Sequence, residues 1–353
     1  MPRILNLSQK LIRLKTTEDN PQEIERCLSL IKKYLNPKLI LKKYESDRKL
    51  SFVITTKKTH NPKIFFVSHV DVVNGADEQF IPKVKRGRLY GRGSWDMKVY
   101  LALMLTLFNE LPSCNNSPDV GLIITSDQET GGDNGTKFLL KELHYSSEVA
   151  FVPDAGNDLD IVNIEKGVLH LKLSAKGKTA HGSRPWMGEN ALDTLISTYM
   201  RLHAIFPNPT NDQDWKTSLS LGKIEGGRAI NQVPDQGALY LDLRYTERQT
   251  PESILRLIRK VAKNLSLEVL ANGSICYTPE DHPFLQKYMA ISNKILGRKV
   301  KFNRECEATD GRYFSDRGIP VIITRSQGSD AHGKNEWVAI EPLSKFYEII
   351  KQF

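Results

Sequence analysis

The chain has 353 residues, 40% of them hydrophobic, and a formal net charge of +9 at pH 7. This length exceeds one ordinary hydrophobic core, so we expect two domains. No run approaches the roughly 18 consecutive apolar residues of a membrane span, and no basic tail or arginine-rich block carries the charge, so we expect neither a membrane nor a nucleic acid as partner.

The N-terminus and the cysteines indicate the compartment. Met1, Pro2 and Arg3 lead into an amphipathic helix and not into the apolar core of a signal peptide, which favours the cytoplasm. The cysteines are scattered without a close pair, which predicts neither a disulfide framework nor a cysteine-type zinc site. They are Cys27, Cys114, Cys276 and Cys306.

Four apolar runs predict buried strands, and side chains able to bind a metal follow them. Helices predicted at 98–111 and 135–143 alternate with these runs, as in the βαβ units of a parallel sheet. Because the carboxyl ends of parallel strands share one edge, we expect these side chains to meet there. The runs and the side chains are 64–67 with His69 and Asp71, 121–126 with Gln128 and Glu129, 149–152 with Asp154, and 321–324 running towards His332.

These side chains, with Asp96 in the segment 94–98, predict one dinuclear metal site. Imidazole and carboxylate suit zinc, cobalt or manganese, and two such ions that share a carboxylate activate water for hydrolysis. Each residue alone has a plainer interpretation. His69 could be a satisfied histidine at a strand end, and Asp96 could cap the helix that begins near Met97.

The hydrophobic period changes after about Glu165. Residues 169–175 and 238–244 alternate apolar and polar positions, which predicts antiparallel strands with helices at 190–206 and 251–265 on one face. Helix-strand patterning returns after about Tyr277. We therefore predict an α/β domain with a doubly wound, mostly parallel sheet, and an α+β domain with an antiparallel sheet inserted into it. The first domain comprises residues 1–167 and 277–353, and the inserted domain comprises residues 168–276.

Six motifs occur in order along the chain: SHVD at 68–71, GRGSWDMK at 91–98, SDQETGG at 126–132, KTAHGSRP at 178–185, INQVP at 230–234 and DAHGKNE at 330–336. Together they resemble the M20 family of zinc-dependent amidohydrolases and exopeptidases, which includes succinyl-diaminopimelate desuccinylase, acetylornithine deacetylase, aminoacylase and carnosinase-type dipeptidases. The resemblance implies a small peptide or N-acyl amino acid as substrate. It also implies a homodimer, with the inserted domain as dimerisation domain or lid.

The resemblance further implies two zinc ions per chain, with cobalt or manganese as alternatives. In this arrangement Asp71 orients the ring of His69 by contacting the imidazole nitrogen that does not bind the ion. The implied ligands are His69 and Asp154 for the first ion, Glu129 and His332 for the second, and Asp96 for both.

Substrate contacts are implied in both domains. His181 resembles the family's histidine that reaches the partner subunit's active site and stabilises the oxyanion of the tetrahedral intermediate. Asn231 resembles a second polar contact, and Arg244 the arginine that pairs with the substrate carboxylate. Thr309 and Arg312 are further candidates. For the two arginines a surface ion pair is the alternative interpretation.

Gln128 departs from the family pattern, because family members carry there an acidic residue that acts as general base. An amide cannot accept the proton, and a positioned base contributes roughly 10²–10⁴-fold. The change could be engineered, the chain could be a natural low-activity member, or another group could act through water. Asp127 is a poor substitute, because on a strand it points to the opposite face.

Two functions therefore remain open. The first is a dinuclear zinc hydrolase that cleaves an amide bond in a short peptide or N-acyl amino acid, with activity reduced by Gln128. The second is a catalytically silent relative that binds metal and similar ligands. Asp154 slightly favours a short peptide with a free amino end as the substrate, because the deacylases and carboxypeptidases of the family tend to carry Glu at this position.

Overall fold

The structure is a computed structural model that describes residues 1–113, 117–211 and 213–353. The helices are α1 (Pro2–Ile12), α2 (Pro21–Tyr34), α3 (Lys98–Glu110), α4 (Thr136–Lys141), α5 (Ala191–Ile205), α6 (Pro251–Val261), α7 (Pro283–Leu296), α8 (Gly311–Ser315) and α9 (Ile340–Gln352). The strands are β1 (Ile40–Ser46), β2 (Lys49–Thr55), β3 (Ile64–His69), β4 (Lys83–Lys85), β5 (Arg88–Tyr90), β6 (Val120–Thr125), β7 (Val149–Val152), β8 (Ile161–Glu165), β9 (Gly167–Lys176), β10 (Ser218–Gly226), β11 (Gln236–Tyr245), β12 (Ser266–Gly273), β13 (Cys276–Tyr277), β14 (Phe302–Glu305), β15 (Val321–Ile323), β16 (Gly328–Ser329) and β17 (Trp337–Ala339).

The chain divides into two compact units, which we call the first and the second unit. The second unit comprises Glu165–Ile275 with the short piece Cys306–Ala308. The first unit comprises Met1–Ile164, Cys276–Glu305 and Thr309–Phe353.

The first unit contains a large mixed sheet with the strand order β1-β2-β6-β3-β7-β15-β8-β13. Its four central strands, β6, β3, β7 and β15, are parallel to one another. They are the four apolar runs of the sequence, so their carboxyl ends lie at one edge as predicted. Antiparallel strands flank this parallel centre, with β2 beside β6 and β8 beside β15. The predicted α/β fold class is confirmed, and the sheet is mixed at its sides.

Helices cover both faces of this sheet because the central strands are apolar on both faces. On β3, Phe66 packs into a core shared with α1, α3, α7 and α9. Its neighbours Phe65 and Val67 point to the opposite face and pack with residues of α4 and α8. This two-sided burial explains why the strands are continuously apolar and do not alternate.

A small sheet with the order β16-β17-β5-β4 stands apart from the large one. In it β17 pairs with β5, so that Trp337 lies opposite Tyr90 and Val338 opposite Leu89. The pairing brings the segment after β5, which contains Asp96, beside the segment between β16 and β17, which contains His332. The sequence predicted that the run 321–324 leads towards His332, and in the structure β16 lies between them.

The second unit contains a four-stranded antiparallel sheet with the order β10-β11-β9-β12. Leu173 lies opposite Leu239, and Leu171 opposite Leu241, so one face of the sheet is a continuous apolar layer. Residues of α5 and α6 pack into the same core. The predicted alternation at 169–175 and 238–244 thus produces a sheet that is buried on one face.

Within the described ranges, no helix combines the length and the apolar character that crossing a membrane requires. Cys27 and Cys306 are free thiols, and Cys276 is buried. Cys114 lies outside the described residues.

Candidate metal centre

The first ligand cluster forms where β3 and β7 end. His69 is the last residue of β3, and Asp154 follows β7 by two positions. Nε2 of His69 lies 3.5 Å from Oδ1 of Asp154 and 3.2 Å from Oδ1 of Asp96. His69 and Asp154 are buried, so this cluster is shielded from solvent.

The second ligand cluster combines the carboxyl end of β6 with the segment after β16. A short 3₁₀ turn, Gln128–Thr130, follows β6 and carries Glu129. Nε2 of His332 lies 3.1 Å from Oε2 of Glu129 and 3.2 Å from Oδ2 of Asp96. His332 has a positive φ of 63°, in the turn that directs its ring towards these carboxylates.

Asp96 belongs to both clusters through different oxygens. Its Oδ1 faces His69, and its Oδ2 faces His332. The donor atoms of each three-residue set lie within 4.8 Å of one another. One carboxylate therefore lies between two sets of imidazole and carboxylate donors, each of which could hold a metal ion.

The buried donor atoms fit a cation. Among the described residues, Nε2 of His69, Oδ1 of Asp96 and Oδ1 of Asp154 have no hydrogen-bond partner. Leaving a buried polar atom unsatisfied costs about 1–3 kcal/mol, more if it is charged. A divalent ion would satisfy all three atoms at once, and the mixture of imidazole and carboxylate suits zinc, cobalt or manganese.

The electrostatics show what the ions would have to displace. Hydrogen bonds to Asp96 and Glu129 raise the pKa of His332 to about 10. Burial alone would lower the pKa of His69, but the nearby carboxylates, Asp154 first, hold it well above its usual range. Burial also raises the pKa of Glu129 to about 6. Metal binding must therefore release protons from both imidazoles, which makes it weaker at low pH.

Asp71 connects the two clusters. Nδ1 of His69 lies 2.9 Å from the backbone carbonyl oxygen of Asp71 and 3.5 Å from its Oδ1. The backbone N–H of Glu129 donates to the other carboxylate oxygen, Oδ2, at 2.8 Å. The sequence predicted the side chain as the orienter of His69, whereas the structure places the main-chain oxygen closer. The side chain instead spans from His69 to the segment of Glu129.

Gln128 begins the 3₁₀ turn directly before Glu129 and is half-buried. Its neighbour Asp127 is buried, and Oδ2 of Asp127 accepts hydrogen bonds from the backbone N–H groups of Asn134 and Gly135 at 2.8 and 2.9 Å. Asp127 thus caps the following loop.

The sequence profile described as peptidase family M20/M25/M40 matches residues 65–353. The chain belongs to this family. An uncharacterised metallohydrolase of Methanocaldococcus jannaschii is 26% identical over 358 residues, which cover 88% of this chain and 86% of the relative. A succinyl-diaminopimelate desuccinylase of Marinobacter nauticus is 26% identical over 322 residues, 84% of each chain. An M20 family metallo-carboxypeptidase of Sulfolobus solfataricus shares the fold, with a TM-score of 0.81 at 16% identity over 100% of this chain and 98% of its own.

In the second unit of this M20 chain, His181 has a defined tautomer. Its Nδ1 lies 3.1 Å from the backbone N and 2.8 Å from the hydroxyl of Ser183. Because a backbone N–H only donates, Nδ1 is the acceptor and the neutral ring carries its proton on Nε2. His181 is exposed, and the backbone carbonyl of Asn231 beside it accepts a hydrogen bond from the N–H of Gly182 at 2.7 Å. His181 can therefore act as a hydrogen-bond donor.

Arg244 forms an ion pair on its own strand. Its Nε and Nη2 donate to the two carboxylate oxygens of Asp242 at 2.9 and 3.2 Å. Burial opposes the charge of Asp242, but hydrogen bonds from His170 and Arg244 lower its pKa below the ordinary value. The ion pair that the sequence left as the alternative is thus present in the structure.

Thr309 and Arg312 lie at the start of α8. Oγ1 of Thr309 accepts a hydrogen bond from the backbone N–H of Gly311 at 3.1 Å. Nη2 of Arg312 donates to the carbonyl oxygen of Gly131 at 2.7 Å. Arg312 therefore stabilises the turn that follows Glu129.

Sequence reasoning missed three buried charges near the ligands: Arg92, Arg325 and Glu336. The guanidinium of Arg325 stacks on the ring of Trp95 at 3.5 Å, and its Nε donates to the carbonyl oxygen of Gly156 at 2.9 Å. Glu336 is the last residue of the motif DAHGKNE, but the sequence indicated no role for it. A charged residue next to a ligand motif was the available signal, and only the fold reveals that these charges are buried.

Proposed function

We propose that this M20 chain is a dinuclear metal hydrolase that cleaves the amide bond of a short peptide or N-acyl amino acid. The observation that carries the proposal is the division of the two Asp96 oxygens between His69 and His332. Zinc is the proposed ion, with cobalt or manganese as alternatives, because all donors are imidazole or carboxylate. Membership in the family and the names of its relatives support an amide as the scissile bond.

The proposed substrate carries a free carboxylate. Arg244 is the proposed partner of that carboxylate, and its fork already matches carboxylate geometry in the pair with Asp242. Substrate binding would then require Arg244 to exchange one carboxylate for another. Asp154 in the first cluster favours, by analogy with the family, a short peptide with a free amino end.

The proposed mechanism divides the work among the chain's own residues. The five candidate ligands would hold two divalent ions, which would supply Lewis acidity and increase the acidity of water. The Nε2–H of His181 is oriented as a donor and would stabilise the oxyanion. Gln128 occupies the position of the family's general base, and its amide neither accepts the proton of water nor returns one to the leaving amine. Low activity follows for the chain as it stands.

Gln128 also favours the second candidate, a catalytically silent relative that binds metal and similar ligands. The five candidate ligands are common to both candidates, because each of the two binds metal. Membership in a peptidase family, with a succinyl-diaminopimelate desuccinylase among its relatives, favours the hydrolase. The two candidates differ in what a restored base achieves.

The test is to measure the release of free amine from dipeptides and N-acyl amino acids, with zinc present, for the parent and for Gln128→Glu. The hydrolase proposal expects slow release by the parent, faster release by the variant, and loss of both rates on chelation. If neither protein released amine from any substrate, the silent relative would be the correct assignment.

We also propose a homodimer formed through the second unit. Two apolar side chains four residues apart on α5 are exposed, Ile196 at 48% and Met200 at 61%. Strand β10, at one edge of the four-stranded sheet, exposes Ile224 at 46%. An edge strand beside an exposed apolar helix face is a surface that soluble chains normally cover. In the proposed dimer His181 serves the site of the neighbouring subunit.

A further inference from the structure

Glu336 is a buried carboxylate that contacts the backbone of the segment carrying the bridging ligand. The side chain of Glu336 is 1% exposed. Its Oε1 accepts hydrogen bonds from the backbone N–H groups of Trp95 at 2.8 Å and Asp96 at 3.1 Å. Its Oε2 accepts from the N–H of Gly93 at 3.0 Å. One carboxylate thus fixes the turn from which the side chain of Asp96 projects.

Arg92 completes a reciprocal connection between two ligand segments. Its Nη1 donates to Oε2 of Glu336 at 2.8 Å, and its Nη2 donates to the carbonyl oxygen of His332 at 2.9 Å. Arg92 precedes Asp96 by four residues, and Glu336 follows His332 by four. Each segment therefore supplies one ligand and one buried charge that contacts the other segment. We call Arg92 and Glu336 the clamp.

The clamp contacts the two clusters unequally. Asp96 and His332, which it holds, are two of the three donors in the second cluster. In the first cluster only Asp96 depends on it, because His69 and Asp154 are placed by the parallel strands β3 and β7. The second metal position should therefore be the more sensitive to its loss.

We propose that Glu336 and Arg92 are positioning residues that hold Asp96 and His332 in ligand geometry and thereby determine the affinity of the second metal position. The inference rests on the proposed dinuclear function. Residues that orient metal ligands typically contribute 10–100-fold to metal affinity. The clamp acts on the backbone of its ligands, so it would set the distance between the two segments as well as the direction of Asp96.

The test uses Glu336→Gln, which keeps the volume but replaces one acceptor oxygen with an NH₂ group. That group must face a backbone N–H of the 93–96 turn, donor against donor, so part of the clamp is lost. Zinc binding is measured by titration calorimetry on chelator-treated protein in two backgrounds. His69→Ala leaves the second position to be measured, and His332→Ala leaves the first.

We expect Glu336→Gln to weaken zinc binding about 10–100-fold in the His69→Ala background and less than about threefold in the His332→Ala background. Arg92→Lys, which keeps the charge but cannot reach both partners, should show the same asymmetry. Glu341→Gln is the matched control, because its side chain is 77% exposed and it follows Glu336 by five residues. Thermal unfolding of each metal-free variant verifies that the chain folds.

Equal weakening in both backgrounds, or no weakening in either, would overturn the inference while leaving the dinuclear centre in place. If Glu336→Gln does not fold, Arg92→Lys decides by the same two values. A parent protein that binds fewer than two zinc ions would instead contradict the proposed function, and the second position would be lost with it.

Discussion

Asp96 has two carboxylate oxygens, and each faces a different imidazole at 3.2 Å. In the proposed dinuclear centre, this single side chain is the ligand that both metal positions share. The residues around it have separate tasks: His69 and His332 supply nitrogen donors, and Asp71 holds both His69 and the segment of Glu129. At the scale of residues, all five candidate ligands come together, and Gln128 stands where family members carry an acidic residue.

The residue that breaks the family pattern gives the first prediction. Gln128→Glu should raise kcat by at least roughly a hundredfold, the lower bound for a general base, because the new carboxylate can take the proton of water and return it to the leaving amine. KM should change little, since Gln128 is not among the groups proposed to bind substrate. Steady-state kinetics on one amide substrate checks both values. An increase confined to KM, or no change in either, would place the base elsewhere.

The sequence alone predicted the five candidate ligands because each of them lies in a recognisable motif or follows a predicted strand. It could not decide the state of Arg244. Asp242 and Arg244 are two positions apart on β11 and thus share a face, so an ion pair was foreseeable, but the choice between that pair and a substrate depends on neighbours that local pattern does not contain. The role of Glu336 was also out of reach, because its four hydrogen bonds join segments 240 residues apart or more.

At the scale of elements, the carboxyl ends of β3, β6 and β7 explain most of the site. Parallel strands bring residues that are distant in sequence to one edge, so the prediction needed only the direction of the strands. Asp96 and His332 are the exceptions, because they depend on the small sheet that contains β5, β16 and β17. These strands have two or three residues each, too few to produce a detectable period.

A buried carboxylate joins two of the helices behind the site. Asp310, at the start of α8, accepts a hydrogen bond at 2.6 Å from the hydroxyl of Thr136, at the start of α4. Burial, and then the charge of Asp127, raise the pKa of Asp310 from 3.8 to about 7. The folded chain therefore holds this proton more tightly than the unfolded chain does. The contribution of Asp310 to the stability of the fold is fully present below about pH 4 and is lost as the pH rises to about 7.

Asp310→Asn removes that titration and keeps an acceptor for Thr136. The Tm of the variant minus the Tm of the parent should therefore be several degrees larger at pH 8 than at pH 5, at roughly 2–4 °C per kcal/mol. Thermal unfolding of chelator-treated protein at the two pH values measures the difference. Asp316→Asn, at the exposed end of α8, controls for the loss of a charge. The same Tm difference at both pH values would show that Asp310 is ionised in the fold.

At the scale of the whole molecule, the ligands belong to the first unit, and His181, Asn231 and Arg244 belong to the second. The change of hydrophobic period near Glu165 was the basis for predicting an inserted domain, because a sheet with both faces buried and a sheet with one face buried require different patterns. Hydrophobic pattern could not predict that apolar side chains of α5 and β10 are exposed. The sequence does not distinguish a surface position that a partner subunit covers from one that faces solvent.

Hybrid dimers test whether His181 serves a partner. In the Gln128→Glu background, His181→Ala and Asp96→Ala should each be nearly inactive as pure proteins. If the chains are mixed and allowed to exchange, half of the dimers are hybrids. In each hybrid, one site has its own Asp96 and receives His181 from the other chain, whereas the second site lacks both. Roughly a quarter of all sites should therefore be active. Activity after mixing, with dimer formation followed by light scattering, is the measurement. A monomer, or a mixture no more active than its components, would exclude this role.

The number of metal ions bound by Asp96→Ala tests the central claim most directly, because the two proposed positions share this one residue. Purified parent and variant, stripped by chelator and reloaded with zinc, are analysed for bound metal per chain and for thermal unfolding. The parent should bind two ions, and Asp96→Ala should lose both while it remains folded, since each position keeps only two of its three donors. Two ions in Asp96→Ala at the affinity of the parent would contradict the shared carboxylate and the dinuclear hydrolase built on it.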